Sequence, residues 1–149
     1  MLKSLILANL LIFGEKMTRY QKGANAEREL IQQLFSKGFS VARMAGSGKT
    51  SLPSPDIIAL SKSKKLGFEC KAWKGNYLSL PAQQMNELVS WGKNADVEMF
   101  VAWKIPNKGW FFLKPEFFNS SEKHFSISKE KAFKKAMSMN VVLGLQKQL

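Results

Sequence analysis

The segment from Leu66 to Trp73, LGFECKAW, constrains the fold of this chain most. Neighbouring side chains of a strand point to opposite faces of a sheet, so Phe68 and Cys70 lie on one face and Glu69 and Lys71 on the other. Charged side chains avoid buried strands unless they are paired or bind a metal. The pattern predicts a strand with one apolar face and one face carrying a charged site, or an exposed sheet face with an ordinary ion pair.

The rest of the chain is typical of a single α/β domain. Helical spacing, strand alternation and turn residues predict a helix over 22–37, strands over 39–44, 56–60 and 66–73, a helix over 81–93, strands over 97–104 and 109–114, and a helix over 129–138. The apolar tail over 141–149 fits a strand or a helix. Because no repeat or low-complexity linker interrupts this order, we expect one domain over 17–149 with a central mixed sheet flanked by helices.

Three acidic residues and a lysine are candidates for phosphate chemistry. Asp56 opens the strand before Glu69 and Lys71, so pairing of the two strands brings the three side chains to one edge of the sheet. Two carboxylates can hold a hard divalent cation, and a lysine can orient water and stabilise charge on a phosphate. Glu27 shares the predicted core-facing side of its helix with Ile31. An acid in that position needs a partner, which is either the divalent cation or a lysine.

Composition narrows the partners and the metal. The net charge of +12 over 149 residues points to a polyanion, either nucleic acid or an anionic membrane, although an inert basic surface has the same composition. One cysteine and one histidine exclude a His/Cys zinc cluster and an internal disulfide, so a metal site has to use carboxylates. We therefore expect Mg²⁺, with Mn²⁺ able to substitute, in a cytoplasmic protein.

The first sixteen residues differ from the rest. MLKSLILANLLIF is apolar but too short to span a bilayer comfortably, and it lacks a clear signal-peptide cleavage site. We expect residues 1–16 to be a dispensable extension, with Met17 as a possible natural start, rather than a secretion signal or a membrane anchor.

These motifs together resemble a known family. The PD-(D/E)xK nuclease motif is matched by Pro55-Asp56 and Glu69-Cys70-Lys71, and the flanking KGANAERELIQQLFSKGFSVARMAGSG, PDIIAL and FECKAW resemble archaeal Holliday junction resolvases over most of residues 22–114. The resemblance implies a restriction-endonuclease-like fold and Mg²⁺-dependent, paired cleavage of four-way DNA junctions in recombination and repair. It also implies that Glu27, Asp56 and Glu69 hold the metal and that Lys71 is the catalytic lysine.

DNA contacts are expected mainly from basic residues. The resemblance implies such roles for Arg28, Arg43, Ser47 and Gln84, and Lys49 and Lys74 join them in a basic group that we expect beside the site. That group consists of Lys22, Arg28, Arg43, Lys49, Lys62, Lys64, Lys65 and Lys74. With no base-reading motif among them, we expect recognition of backbone and shape. Lys123, Lys134 and Lys135 are expected to be ordinary surface charges.

The resemblance also implies a homodimer, since a symmetric dimer presents two active sites to a symmetric junction. The candidate interface is apolar, and plain core is its alternative explanation. Its members are 97–103, 110–112, Met85, Leu88 and Val89. No small-molecule cofactor is expected, and the protein is expected to associate with the nucleoid.

Two other functions remain open at this level. The first is a nuclease of the same superfamily that acts on duplex ends, flaps or single strands. The second is a DNA-binding module without catalysis, which the set of Glu27, Asp56, Glu69 and Lys71 disfavours, because a binding module gains nothing from acids facing its phosphates.

Overall fold

The structure, a computed structural model, describes residues 17–44 and 52–149. The helices are α1 (Arg19–Ser36), α2 (Ala82–Ala95), α3 (Lys129–Lys135) and α4 (Met139–Val142), and a 3-10 helix covers Pro115–Phe117. The strands are β1 (Ser40–Arg43), β2 (Ile57–Leu60), β3 (Lys65–Ala72), β4 (Tyr77–Pro81), β5 (Glu98–Ile105), β6 (Gly109–Leu113), β7 (Asn119–Ser120) and β8 (His124–Ser128). Within these described ranges, no helix has the length and apolar character needed to cross a membrane.

A five-stranded mixed sheet forms the centre of the molecule, with the strand order β1-β2-β3-β5-β6. The strands β1, β2 and β3 are antiparallel neighbours, and β5 and β6 form the predicted antiparallel hairpin. The strands β3 and β5 run parallel, as expected where a helix, here α2, lies in the connection between them. This topology confirms the predicted mixed sheet flanked by helices.

The two faces of this sheet carry separate cores. On one face, α1 packs Leu30 and Leu34 against Phe68, Phe100 and Phe112. The other face is covered by α2 and a second sheet, and this core includes Met85, Leu88, Val101, Trp103 and Ile127. Burying each large apolar side chain contributes roughly 1.5–3 kcal/mol. Both faces of the central strands are thereby fixed, so their register is fixed as well.

The sequence reading missed the second sheet, which is three-stranded with the order β4-β8-β7. Leu78 and Leu80 of β4 alternate with exposed residues and lie beside Ile127 and Phe125 of β8. The strands β4 and β8 are short and lie far apart in the chain, so the alternation L-S-L and F-S-I was the only local signal of their pairing.

Several predicted boundaries shift for local reasons. Helix α1 begins at Arg19 because Thr18 and Gln21 form a reciprocal capping box. Helix α3 ends at Lys135, before the predicted Ser138, because the main chain of Met137 pairs with Phe112 in both directions. The tail forms the one-turn helix α4, which places Val142 in the core.

The predicted dimer interface was wrong for most of its members. Met85, Leu88, Phe112 and residues 99–103 are buried within one copy of the chain, so no second copy can contact them. Plain core, the alternative explanation, is confirmed for these residues. Val89 is half-buried, and Trp110 and Phe111 are half-buried at the margins of the two cores.

Candidate active site

Asp56 lies immediately before β2, and both its main chain and its side chain attach it to the sheet. Its amide donates to the carbonyl of Phe68, and its Oδ2 accepts a 2.7 Å hydrogen bond from the amide of Cys70. The carboxylate is therefore held beside the middle of β3, where Glu69 begins the E-x-K motif. This arrangement confirms that pairing of β2 and β3 brings Asp56 to Glu69.

Glu69 is the only charged or polar side chain that is buried in the described part of the chain, with 7% of its surface exposed. Its Oε1 accepts a 2.6 Å hydrogen bond from Nε2 of Gln84 on α2, and Nζ of Lys71 lies 3.2 Å from the same oxygen. Trp103 and Val101 lie beside Lys71 and Glu69 on the neighbouring strand, so the two charged side chains project over an apolar floor. The alternative of an exposed sheet face is therefore wrong.

Burial and mutual repulsion change the protonation of the two acids. Burial and the charge of Asp56 together raise the pKa of Glu69 to about 7, against the opposing effect of Lys71. Burial also raises the pKa of Asp56, while its hydrogen bond from the Cys70 amide acts against that rise. Two close carboxyl groups that hold a proton in place of a cation fit a site for a hard divalent metal.

Glu27 and Arg43 flank this pair. Glu27 lies beside the buried stripe of α1, and its Oε2 accepts a 2.8 Å hydrogen bond from Nε of Arg43, at the end of β1. The charge of Glu27 contributes to the raised pKa of Asp56, because the two carboxylates repel each other. Within residues 17–44 and 52–149, no three acidic, histidine or cysteine side chains are grouped closely enough to hold a metal together. Glu27 thus stays a predicted ligand, engaged here by Arg43.

A cleft of about 210 Å³ opens next to the acids, between α2 and the segment that precedes β2. Its lining comprises Pro53, Ser54, Asp56, Glu69, Gln84, Glu87 and Leu88. The sequence reading missed Glu87, whose Oε1 accepts from Nε2 of Gln83 at 2.9 Å. Its spacing of three from Gln84 on one helix was the available signal.

Cys70, inside the motif, plays no acid–base part. Its side chain faces the α1 core, away from Glu69 and Lys71. Burial raises the pKa of its thiol well above the ordinary value. A thiol that remains protonated is neither a nucleophile nor a good metal ligand.

The predicted DNA-binding residues do not all lie together. Gln84 contacts Glu69, and Arg43 contacts Glu27, whereas Arg28 is exposed on α1 and donates to Asn25. Lys74 is exposed just beyond β3. The predicted contacts Ser47 and Lys49 lie outside the described residues.

Three lysines were wrongly expected beside the site. Lys62 and Lys64 belong to the β2–β3 turn, and Lys65 opens β3, where it pairs with Leu60. Glu69 is four residues further along β3, so the turn lies about 13 Å from the acids at the ordinary rise of a strand. The hairpin carries its positive charge at the end opposite the site.

Similarity to known proteins agrees with this geometry. The family model described as archaeal Holliday junction resolvase (Hjc) matches residues 18–149. The chain belongs to the archaeal Holliday junction resolvase family. The match includes all of Glu27, Asp56, Glu69, Lys71 and Gln84, and it excludes the apolar residues 1–16.

Individual members of the family are similar over most of their length. The chain is 37% identical over 106 residues to the crossover junction endodeoxyribonuclease Hjc of Archaeoglobus fulgidus, covering 71% of this chain and 78% of the relative. It is 30% identical over 131 residues to the protein of that name from Methanocaldococcus jannaschii, covering 88% and 93%. The expected archaeal family is confirmed.

Solved structures support the same fold. The 1.6 Å structure of the Archaeoglobus fulgidus Holliday junction resolvase superposes with a TM-score of 0.76 at 31% identity, over 85% of this chain and 99% of that one. A bacterial homing endonuclease superposes with a TM-score of 0.57 at 14% identity, over 86% and 93%, which shows the fold alone. The predicted nuclease fold is confirmed.

Proposed function

We propose that this archaeal Holliday junction resolvase homologue is a crossover junction endodeoxyribonuclease that cuts four-way DNA junctions by phosphodiester hydrolysis with a divalent metal. The observation that carries the proposal is that the carboxyl groups of Asp56 and Glu69 lie close together at an open cleft. Gln84 donates a hydrogen bond to Glu69, and Lys71 forms an ion pair with it. Membership of a family of enzymes with this activity gives the substrate.

In this proposal the residues divide the chemistry as follows. Asp56 and Glu69 would hold Mg²⁺ or Mn²⁺, which supplies an activated water and polarises the phosphate. Lys71 orients the attacking water and stabilises charge that develops on the phosphate oxygens. Gln84 holds the Glu69 carboxylate in one rotamer through its 2.6 Å bond. Glu27 is the third acid, and it would be free to bind the metal when Arg43 exchanges its ion pair with Glu27 for one with a DNA phosphate.

The remaining expectations belong to the same proposal. Arg28, Arg43, Ser47, Lys49 and Lys74 bind DNA phosphates, and the enzyme acts as a homodimer whose two sites cut paired strands. Residues 17–149 carry the activity, and residues 1–16 are dispensable for it. The protein acts on the nucleoid in the cytoplasm, in recombination and repair, without a small-molecule cofactor.

An Asp56→Asn substitution tests the catalytic claim. Its remaining side-chain oxygen can still accept from the amide of Cys70, so the fold is retained while the charge is lost. Glu130→Gln is the matched control, because Glu130 is an exposed acid paired only with Lys134 on α3. Labelled four-way junction and linear duplex of the same sequence are incubated with each protein, in Mg²⁺ or in chelator, for the full chain and for a protein that begins at Met17.

We expect paired nicks on the junction, in Mg²⁺ only, for the wild type, the control and the shortened protein. Asp56→Asn should lower the rate by about 100-fold or more, because loss of an outer-shell partner already costs about 10–100-fold and Asp56 would hold the metal itself. Equal cutting of junction and duplex would instead indicate a broader nuclease. Junction binding without any cutting would leave a non-catalytic module and would overturn the proposal.

A further inference from the structure

Two aromatic side chains project into solvent just beyond the E-x-K motif. Trp73, directly after β3, has 46% of its surface exposed, and Tyr77, at the start of β4, has 67% exposed. Trp73 is two residues beyond Lys71, which is about 7 Å along an extended strand. Trp73 therefore follows closely on Lys71, the residue that the proposed function places at the scissile phosphate.

The position of Trp73 is fixed despite this exposure. Its amide donates to the carbonyl of Lys104 at 3.2 Å, and its own carbonyl accepts from Nε1 of the buried Trp103 at 2.8 Å. Its indole Nε1 donates to the carbonyl of Tyr77 at 2.8 Å. An aromatic surface held in this way loses little conformational entropy when a ligand covers it.

Gly75 allows the indole to take this position. A Cβ atom on Gly75 would collide with Nε1 and Cε2 of Trp73, so the ring packs directly on a main chain without a side chain. A Gly75→Ala substitution should therefore displace the indole of Trp73 without removing it.

The charge around the ring suits a nucleic acid. The segment from Lys71 to Pro81, KAWKGNYLSLP, contains no acidic residue, and Lys74 is exposed next to the ring. Lysine neutralises a DNA phosphate, while the face of an aromatic ring stacks on a base of any sequence. In a linear duplex, neighbouring base pairs cover the faces of the bases, whereas a four-way branch point whose arms are unstacked by the protein offers base faces that can stack on a ring.

We propose that Trp73 is a stacking platform for a base at the branch point and that Lys74 binds the adjoining phosphate. The proposal deepens the proposed function and rests on it, because it assigns junction preference to one side chain beside the site. An isolated exposed aromatic on the same chain lacks these features. Phe35, which is 68% exposed at the end of α1, lies near the start of β1, at the end of the sheet opposite Asp56.

The test measures binding and stacking separately. A four-way junction with 2-aminopurine at the branch point, and a duplex with the same base in its interior, are titrated with protein in Ca²⁺ in place of Mg²⁺. The proteins are the wild type, Trp73→Ala, Trp73→Phe, Gly75→Ala and the matched control Phe35→Ala. Cleavage of the unmodified junction in Mg²⁺ is measured in parallel, at saturating protein.

We expect Trp73→Ala to weaken junction binding about tenfold, within the range for loss of one stacked base, and to abolish the fluorescence change at the branch point. Duplex binding should change less than about twofold, and Phe35→Ala should behave as the wild type. Trp73→Phe should keep most of the junction affinity, and Gly75→Ala should lower it although the indole is present.

Unchanged junction affinity and fluorescence in Trp73→Ala would overturn the platform, while cutting by the wild type would leave the proposed function intact. A wild type that neither prefers the junction nor cuts it would overturn both. If Trp73→Ala fails to fold, Gly75→Ala decides between the same two results.

Discussion

In the folded chain, the surroundings of Glu69 favour its protonated form, whereas metal binding requires its ionised form. To attract a cation it has to be ionised, yet burial and the neighbouring Asp56 raise its pKa to about 7. In the unfolded chain its pKa is near the ordinary 4.5, so between these two values the folded state binds the extra proton. Its contribution to stability is therefore complete below pH 4.5 and is lost as the pH rises through about 7.

This gives a prediction for the metal-free protein. We expect the free energy of unfolding in chelator to fall between pH 5 and pH 8, with Glu69 contributing of the order of 1–3 kcal/mol. Glu69→Gln should remove that part of the pH dependence and make the metal-free protein more stable at pH 8. Urea unfolding at both pH values measures it, with Glu130→Gln as the control. A wild-type profile that rises over this range would contradict the raised pKa.

At this scale, the strand motif predicted much of the site. Alternation along β3 predicted that Glu69 and Lys71 share a face. The position of Asp56 before the paired strand β2 predicted that its carboxylate lies beside Glu69. The bond between Glu27 and Arg43 was not predictable, because it depends on where α1 ends relative to β1 and on two long side chains. The same holds for Lys104, whose bond to Glu29 at 2.6 Å joins residues far apart in the chain.

Among the elements, helix α2 comes very near the main chain and side chains of β5 and its preceding turn at Gly92. Gly92 of α2 is buried where the chain turns into β5, and its carbonyl accepts from the amide of Val97 at 2.9 Å. A Cβ atom there would lie 2.7 Å from the carbonyl oxygen of Val97 and would collide with Met99. The absence of a side chain thus lets α2, which carries Gln84, approach β5.

Gly92→Ala should accordingly destabilise the protein by about 1–3 kcal/mol, the usual cost of overpacking a core. Gly23→Ala on α1 is the matched control, because nothing lies within 4 Å of its Cβ position. That variant should gain about 0.5–1 kcal/mol from helix propensity. Thermal unfolding of both variants measures the difference, and equal shifts in one direction would refute the packing argument.

Elements were predictable where their signal was local. The helices α1 and α2 and the five strands of the central sheet have clear periodicity and turn residues, and all were found within three residues. The strands β4 and β8 are five residues each, contain one and two serines, and are stabilised by pairing with each other across the chain. Propensity is weak for such strands, since cross-strand packing decides them.

Over the whole molecule, the positively charged side chains are not confined to the surroundings of the site but lie at both ends of the central sheet. Lys62 and Lys64 in the β2–β3 turn and Lys65 at the start of β3 lie at one end of the sheet, while Lys74 and Arg43 lie at the other. From a net charge of +12 on so small a chain, we expect released counterions to supply a large share of the binding free energy for DNA.

We therefore expect junction affinity to fall about 1000-fold between about 50 mM and about 200 mM salt, which corresponds to at least six phosphate contacts. Lys74→Ala should lower the slope of log affinity against log salt by about one. Fluorescence anisotropy across a salt series measures both quantities. A nearly flat salt dependence would show that apolar contacts dominate binding.

The proposed site draws its side chains from α1, the residue before β2, β3 and α2, so no short fragment of the chain contains it. During synthesis, Gln84 leaves the ribosome after the motif itself, and Glu69 lacks its partner until α2 has packed. We expect a nascent or partly unfolded chain to bind DNA through its lysines without holding the acids in place. On the proposed mechanism, only molecules that have completed their fold expose the genome to cutting.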